Sequence, residues 1–282
     1  MSKLWLKANK IIPGGNTLLS KRPQLWLPKK WPTHFLKAKD INVFDEKNNK
    51  YTDCIFAVGT NVLGYCNKNV DSYVKKAINK GVMSSLNCKE EVEFSEEILK
   101  ANKWAGMVRF ARGGGEANSI AVRIARCNTK NANIAFCGYH GWHDWYLSTN
   151  IKNSGLDKHL ISGLSTIGVP SVLEGTIYPF SYNKIDELEK ILLEQSVGCI
   201  IMEPMRSEFP KDNFLQKVRT LATQHKCVLI FDEVTSGFRM TNGGLHKYFD
   251  INPDMVVFGK AVSNGFPMGI VLGKKEIMEK AQ

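Results

Sequence analysis

VLIFDEVTSGFRMTNGGLHKYFDINPDMVVFGK, residues 228 to 260, holds two short apolar runs separated by a Gly-, Asn- and Pro-bearing interval. The first run ends in Asp232-Glu233 and the second in Gly259-Lys260. β-Branched and aromatic runs of this length, bounded by turn residues, are expected to be buried strands of a parallel sheet joined by a crossover. Parallel strands end on the same side, so each delivers its last polar residue to one carboxyl edge. Open α/β sheets bind ligands at that edge.

One carboxylate and one lysine therefore arrive together. Pyridoxal phosphate chemistry uses such a pair: a lysine forms a Schiff base with the aldehyde, and a carboxylate keeps the pyridine nitrogen protonated so that the ring acts as an electron sink. Val234, two residues past Asp232, then sets an apolar side chain against one ring face. The bare pattern has other uses. A strand ending in Asp-Glu also binds Mg²⁺ in nucleotide hydrolases, and a Gly-Lys pair also ends solvated loops.

Upstream, Met107 to Arg126 reads MVRFARGGGEANSIAVRIAR, a short strand from Val108 to Ala111, then Gly113-Gly114-Gly115, then apolar positions at helical spacing. Glycines bring backbone N–H groups close to an anion, and a helix N-terminus adds partial positive charge. The same order also makes a plain strand-to-helix turn. It is neither GxGxxG nor a Walker loop, which argues against dinucleotides and nucleoside triphosphates. Ile134 to Cys137 is a further strand, followed by Tyr139, which is placed to stack on a planar cofactor. His140, His143 and Asp144 lack a third firm ligand nearby, so no metal is expected. Gly198 to Met202 forms another strand and brings Glu203 to the edge, and Gly269 to Gly273 forms one more.

Residues 1–52 are expected to be an N-terminal arm, part of a small domain, with a turn at Pro13-Gly14-Gly15 and a hairpin between Val43 and Asp53. Residues 53–282 are expected to be one large domain. Helices are expected near 69–81, 90–102, 185–194 and 214–226, with short strands at 166–169 and 176–180. The polar loop around Asn153-Ser154-Gly155 reads as a lid over a substrate.

The formal charge of +11, from 38 Lys and Arg against 27 Asp and Glu, is spread along the chain rather than gathered into a stripe with aromatics, so nucleic acid is not an expected partner. Seven cysteines without a CxxC pair fit free thiols in a reducing compartment. No apolar run approaches membrane-spanning length and the N-terminus has no secretory core, so a cytoplasmic location without a membrane is expected.

Taken in order, Pro13-Gly14-Gly15, Gly113-Gly114-Gly115-Glu116-Ala117 with Arg123 and Arg126, Tyr139-His140-Gly141, Glu203-Pro204, Asp232-Glu233-Val234 with Gly237-Phe238-Arg239, and Gly259-Lys260 with Gly265, Pro267 and Gly269 form a set. The set resembles the class III, fold-type I pyridoxal-phosphate aminotransferases, on the glutamate-1-semialdehyde aminomutase-like branch. The resemblance implies an α/β fold, the large domain of a fold-type I transferase, with a mainly parallel mixed sheet between helices and an N-terminal arm. It implies that Lys260 carries the cofactor, Asp232 pairs with its ring nitrogen, Val234 and Tyr139 cover its faces, and the backbone of Gly114 and Gly115 holds its phosphate. Glu203 and His140 are implied to face the active site.

The chain departs from that family in three places. Gly113-Gly114-Gly115 replaces Ser-Gly-Thr, and Asn16 to Arg22 alters the substrate-carboxylate arm of the aminomutase. The family also continues past the lysine into a C-terminal domain, whereas this sequence stops at Gln282. The expected function is amino transfer between an amino donor and a carbonyl substrate. The alternatives are an aminomutase, or a truncated non-catalytic subunit acting as a partner. A homodimer, or pairing with a chain that supplies the C-terminal half, is expected.

Overall fold

The computed structural model describes residues 2–27, 30–152, 155 and 165–281. The stretch around residues 153–164 expected to form a lid lies outside the described residues, Gly155 excepted. The sequence reading sets a boundary after residue 52, whereas chain packing divides the protein into Met1–Ser84 and Ser85–Gln282.

In the first unit, a helix spans Lys3–Ile11 and is capped by Ser2, whose hydroxyl accepts the Trp5 N–H at 3.1 Å. The expected hairpin is present as β2 (Asn42–Asp45) and β3 (Lys50–Thr52). A strand that the sequence reading missed, β1 (Phe35–Lys39), pairs antiparallel with β2. β1 alternates only over Leu36 to Lys39 and is largely exposed, so its sequence gives a short and weak strand signal. The helix Lys68–Lys80 follows, capped by Asn67.

The second unit holds one seven-stranded sheet. Its strands are β4 (Met107–Ala111), β5 (Ile134–Cys137), β6 (Ile177–Pro179), β7 (Cys199–Met202), β8 (Val228–Glu233), β9 (Met255–Phe258) and β10 (Gly269–Gly273). The spatial order is β4-β10-β9-β8-β7-β5-β6. β10 runs antiparallel to both β4 and β9, and the pairs from β9 to β6 are parallel. Thus β4, β5, β7, β8 and β9 all end on one edge, as the expected parallel arrangement requires. The stretch Thr166–Val169, expected to be a strand, is a turn in which the Val169 N–H donates to the Thr166 carbonyl.

Side chains alternate strictly between the two faces of the sheet. Leu229, Phe231, Val256, Phe258, Ile200 and Met202 pack with Leu188 and Leu192 of the helix Ile185–Glu194 and with Leu215 and Val218 of the helix Phe214–Gln224. Ile230, Val257, Ile201 and Phe136 pack on the opposite face with Ala117, Ala121 and Ile124 of the helix Gly114–Thr129. Covering both faces removes these side chains from water, at a gain of about 1.5–3 kcal/mol for each Val, Leu, Ile, Phe or Met. Among the described residues, no helix is long and apolar enough to cross a membrane.

Asp254 ties the opposite, amino-terminal edge together. Its carboxylate accepts from the Leu229 N–H at 2.8 Å, from Arg219 at 2.9 Å and from Lys274 at 2.7 Å. Asp254→Ala strands a buried N–H and two cations, and is expected to lower unfolding free energy by about 2–4 kcal/mol. Urea denaturation checks this, and a loss below 1 kcal/mol contradicts the role.

Candidate active site

The carboxyl edge collects the ends of β4, β5, β7, β8 and β9. β8 is buried throughout, so its two terminal carboxylates leave the strand on opposite faces. Glu233, fully buried, turns towards the layer of Phe231 and Phe258 and accepts from the backbone N–H groups of Leu245 and His246 and from His246 Nδ1 at 2.7 Å. His246 Nε2 in turn accepts from Trp104 Nε1 at 3.0 Å, which fixes the neutral tautomer with its proton on Nδ1. Three donors thus hold Glu233 within the fold.

Asp232, 2% exposed, turns to the other face. Its Oδ2 accepts from Asn118 Nδ2 at 2.7 Å and meets His140 Nδ1 at 2.7 Å, while its Oδ1 accepts the Val234 N–H at 3.0 Å. His140 Nε2 meets the Cys137 carbonyl at 3.2 Å, so both ring nitrogens face an oxygen partner. The sequence reading has His140 facing a substrate. The structure instead buries it to 1% exposure, behind Asp232 and between Phe136, Trp145 and Tyr146, where it touches the carboxylate alone among the expected site residues.

Lys260 follows β9 with φ +46°, in the left-handed region that costs a side-chain-bearing residue about 1–2 kcal/mol. Its Nζ donates to Thr235 Oγ1 at 3.0 Å. Burial lowers the proton affinity of this amine, and the nearby Arg206 and Arg239 cations lower it further, against the opposing pull of Asp232 and Glu203. Glu203, just past β7, accepts from the Tyr139 N–H at 3.0 Å and from Arg206 Nη1 at 3.1 Å. Burial and then the charge of Asp232 push the Glu203 carboxyl up, and Arg206 opposes them. Burial likewise pushes the Tyr139 phenol up; its ring meets Tyr146 edge-on at 6.0 Å.

The glycine run begins the helix Gly114–Thr129, and no side chain caps it. The N–H groups of Gly114, Gly115 and Glu116 therefore have no helical acceptor. The Glu116 carboxylate reaches back to the Arg112 N–H at 2.8 Å and holds the loop shape. Close approach explains two of the glycines. A Cβ on Gly114 would lie 2.8 and 2.9 Å from the two methyls of Val234, and one on Gly115 would lie 2.9 Å from the His143 ring. A Cβ on Gly113 would meet nothing within 4 Å, so space lies open beside the loop.

Lys260, Asp232, Val234, Gly114, Gly115, Glu203 and Tyr139 thus all stand on one edge. Three partners escaped the sequence reading: Asn118, Thr235 and Arg206. Asn118 left a signal, a polar residue on the stripe of Ala117, Ala121 and Ala125 that faces the core. Among the described residues, no group of three or more His, Cys, Asp or Glu is placed to hold a metal ion.

Residues 29–282 match the class-III aminotransferase family, and the chain belongs to it. It is 34% identical over 285 residues to a 3-aminobutyryl-CoA aminotransferase of Cloacimonas acidaminovorans, covering 98% of this chain and 65% of that protein. It is 36% identical over 292 residues to a glutamate-1-semialdehyde 2,1-aminomutase of Wigglesworthia glossinidia brevipalpis, with the same coverage of 98% and 65%. The chain therefore spans just under two thirds of the length of these relatives. Two solved structures share the fold: an omega-transaminase from Sphaerobacter thermophilus (TM-score 0.85, 24% identity, 98% of this chain and 64% of that one) and a glutamate-1-semialdehyde aminomutase from Pseudomonas aeruginosa PAO1 (TM-score 0.83, 18% identity, 99% and 61%).

Two outcomes are expected from this geometry. Gly114→Ala is expected to destabilise by about 1–3 kcal/mol through overpacking against Val234, and Gly114→Ala/Val234→Ala is expected to recover part of that loss; strict additivity in a double-mutant cycle contradicts the contact. Acylation of Lys260 should show a pH midpoint below the ordinary lysine value of 10.5. Arg206→Met should raise that midpoint, because a nearby cation disfavours the protonated amine.

Proposed function

We propose that the chain catalyses pyridoxal-phosphate-dependent amino transfer from an amino donor to a carbonyl acceptor. The observation that carries this reading is the delivery of the Lys260 amine and the Asp232 carboxylate to one edge by the adjacent parallel strands β9 and β8. Family membership supports it, as do the names of the relatives.

The residues present fit the cofactor. A flat, anionic, basic-nitrogen ring with an aldehyde needs an anion seat, a carboxylate, an apolar face and an amine. The uncapped glycine helix start beside open space, the Asp232 carboxylate, the Val234 side chain and the Lys260 amine match those needs. The backbone of Gly114 and Gly115 would hold the phosphate. Asp232 would face the ring nitrogen, with Val234 and Tyr139 on the ring faces. Bound pyridoxal phosphate supplies an electron-withdrawing ring that takes up the charge left on the amine-bearing carbon.

The protein's own residues do the rest. Burial and two nearby guanidinium groups lower the proton affinity of Lys260 Nζ, and the Thr235 hydroxyl orients it. The same Nζ is the base that takes a proton from the amine-bearing carbon of the substrate and returns it. Asp232 is 2% exposed, so water screens its interactions little. The Glu203–Arg206 pair stands beside Lys260 as the group that meets the substrate.

An intramolecular exchange of the aminomutase kind uses the same residues, and the several relatives named as aminomutases favour weighing it. A small-molecule donor and acceptor are the partners the reading requires. A second copy of the chain, or a chain carrying the rest of the family's length, is the protein partner it proposes.

Adding pyridoxal phosphate is expected to produce a visible-region absorbance band that Lys260→Ala abolishes and that shifts when a suitable amino donor is added. Asp232→Ala is expected to keep the fold and to slow amino transfer by about 10²–10³-fold. Full amino transfer in Lys260→Ala overturns the reading. A product carrying both the amine and the carbonyl of one substrate identifies the mutase.

A further inference from the structure

Asn118 lies one turn into the helix that begins at the glycine loop, and it is 2% exposed. Its amide nitrogen donates to Asp232 Oδ2 at 2.7 Å and to the His140 carbonyl at 3.3 Å. Both neighbours are acceptors, which fixes the amide orientation with nitrogen towards Asp232. Among the described residues, the buried Asn118 Oδ1 has no hydrogen-bond partner. An alanine or leucine, like the residues flanking it on the same stripe, would avoid that unsatisfied acceptor. A residue kept only for packing gains nothing from the amide.

The carboxylate shows what the amide does. Asp232 Oδ2 takes both side-chain contacts, from Asn118 and His140, whereas Oδ1 takes the Val234 N–H. A carboxylate oxygen accepts two hydrogen bonds, so Oδ1 keeps room for one more donor. We propose that Asn118 is the positioning residue for Asp232: it ties Oδ2 to the helix of the glycine loop and turns Oδ1 towards the nitrogen of a protonated heteroaromatic ring. Through Asn118 the helix that offers its N-terminus to an anion also carries the carboxylate that reads the ring, so the two seats keep one spacing. The proposal rests on the cofactor reading above and assigns this chain's own source of ring recognition.

Binding of pyridoxamine 5′-phosphate tests it without turnover, because that ligand forms no bond to Lys260. Its 1-deaza analogue, with carbon in place of the ring nitrogen, serves as comparison, and calorimetry gives both affinities. The wild-type protein is expected to prefer the nitrogen ligand, and Asn118→Ala is expected to lose about tenfold of that preference while its affinity for the 1-deaza analogue holds, the loss of one charge-assisted hydrogen bond. Asn118→Asp, nearly isosteric, sets a second carboxylate against Oδ2 and is expected to lose the preference too. It replaces the alanine variant in the test if that variant does not fold. Gly114→Ala is expected to weaken both ligands alike. An unchanged preference in the Asn118 variants, or an equal loss for both ligands, overturns the positioning role and leaves the cofactor reading standing. A wild-type protein that binds neither ligand overturns the cofactor reading and this proposal together.

Discussion

Two carboxylates sit side by side at the end of a strand with no exposed residue, and the pleat sends them to opposite faces. Each must find its partners inside the protein, because a buried charge without them is costly. Glu233 finds two backbone N–H groups and the Nδ1–H of His246, and Trp104 holds that ring from behind. These bonds pin the turn at Gly243-Gly244 to the sheet. Asp232 finds Asn118, His140 and one backbone N–H, and retains an open acceptor direction. Each carboxylate is thus held by three partners, and what separates them is the face of the sheet each occupies, which one residue of displacement along β8 decides.

The second constraint is close approach. Val234 fits beside the helix start because Gly114 has no side chain, and the Tyr139-His140-Gly141 turn fits against the same loop because a Cβ on Gly141 would come within 3.1 Å of the Gly115 Cα. Gly141 also holds φ +108°, which other residues rarely adopt. In the same way, a Cβ on Gly269 would lie 2.5 Å from the Gly113 carbonyl, so the antiparallel strand β10 reaches the loop only as glycine. These contacts pack the segments that follow β4, β5 and β8 and the start of β10 against one another at one edge of the sheet.

The surroundings of Lys260 tie the fold to the chemistry. A lysine at a solvated edge stays protonated and is a poor nucleophile. Here burial and the guanidinium groups of Arg206 and Arg239 work against protonation, while Asp232 and Glu203 keep the balance from going further. Arg206 also holds Glu203 at 3.1 Å, so the same cation acts on both the amine and the buried carboxylate next to it. Membership of the class-III aminotransferases agrees with this arrangement, over a chain that spans 65% of the length of its named relatives.

Strand endings were legible in the sequence alone, because each apolar run of β-branched residues stops at or just before its first charged residue. That reasoning located Asp232, Glu203, Lys260 and the glycine helix start, and with them the parallel sheet. It missed β1, a largely exposed strand whose alternation covers only four residues, and it made a strand of the turn at Thr166–Val169. It had no means of seeing that Asn118, which lies 114 positions before Asp232, donates to it, or that His140 stands behind the carboxylate rather than in front of it. Sequence determines which residues are polar and where each element must end, since those depend on local pattern and burial. Which polar groups share a hydrogen bond depends on how strands and helices stack across the sheet, and only the tertiary structure decided that.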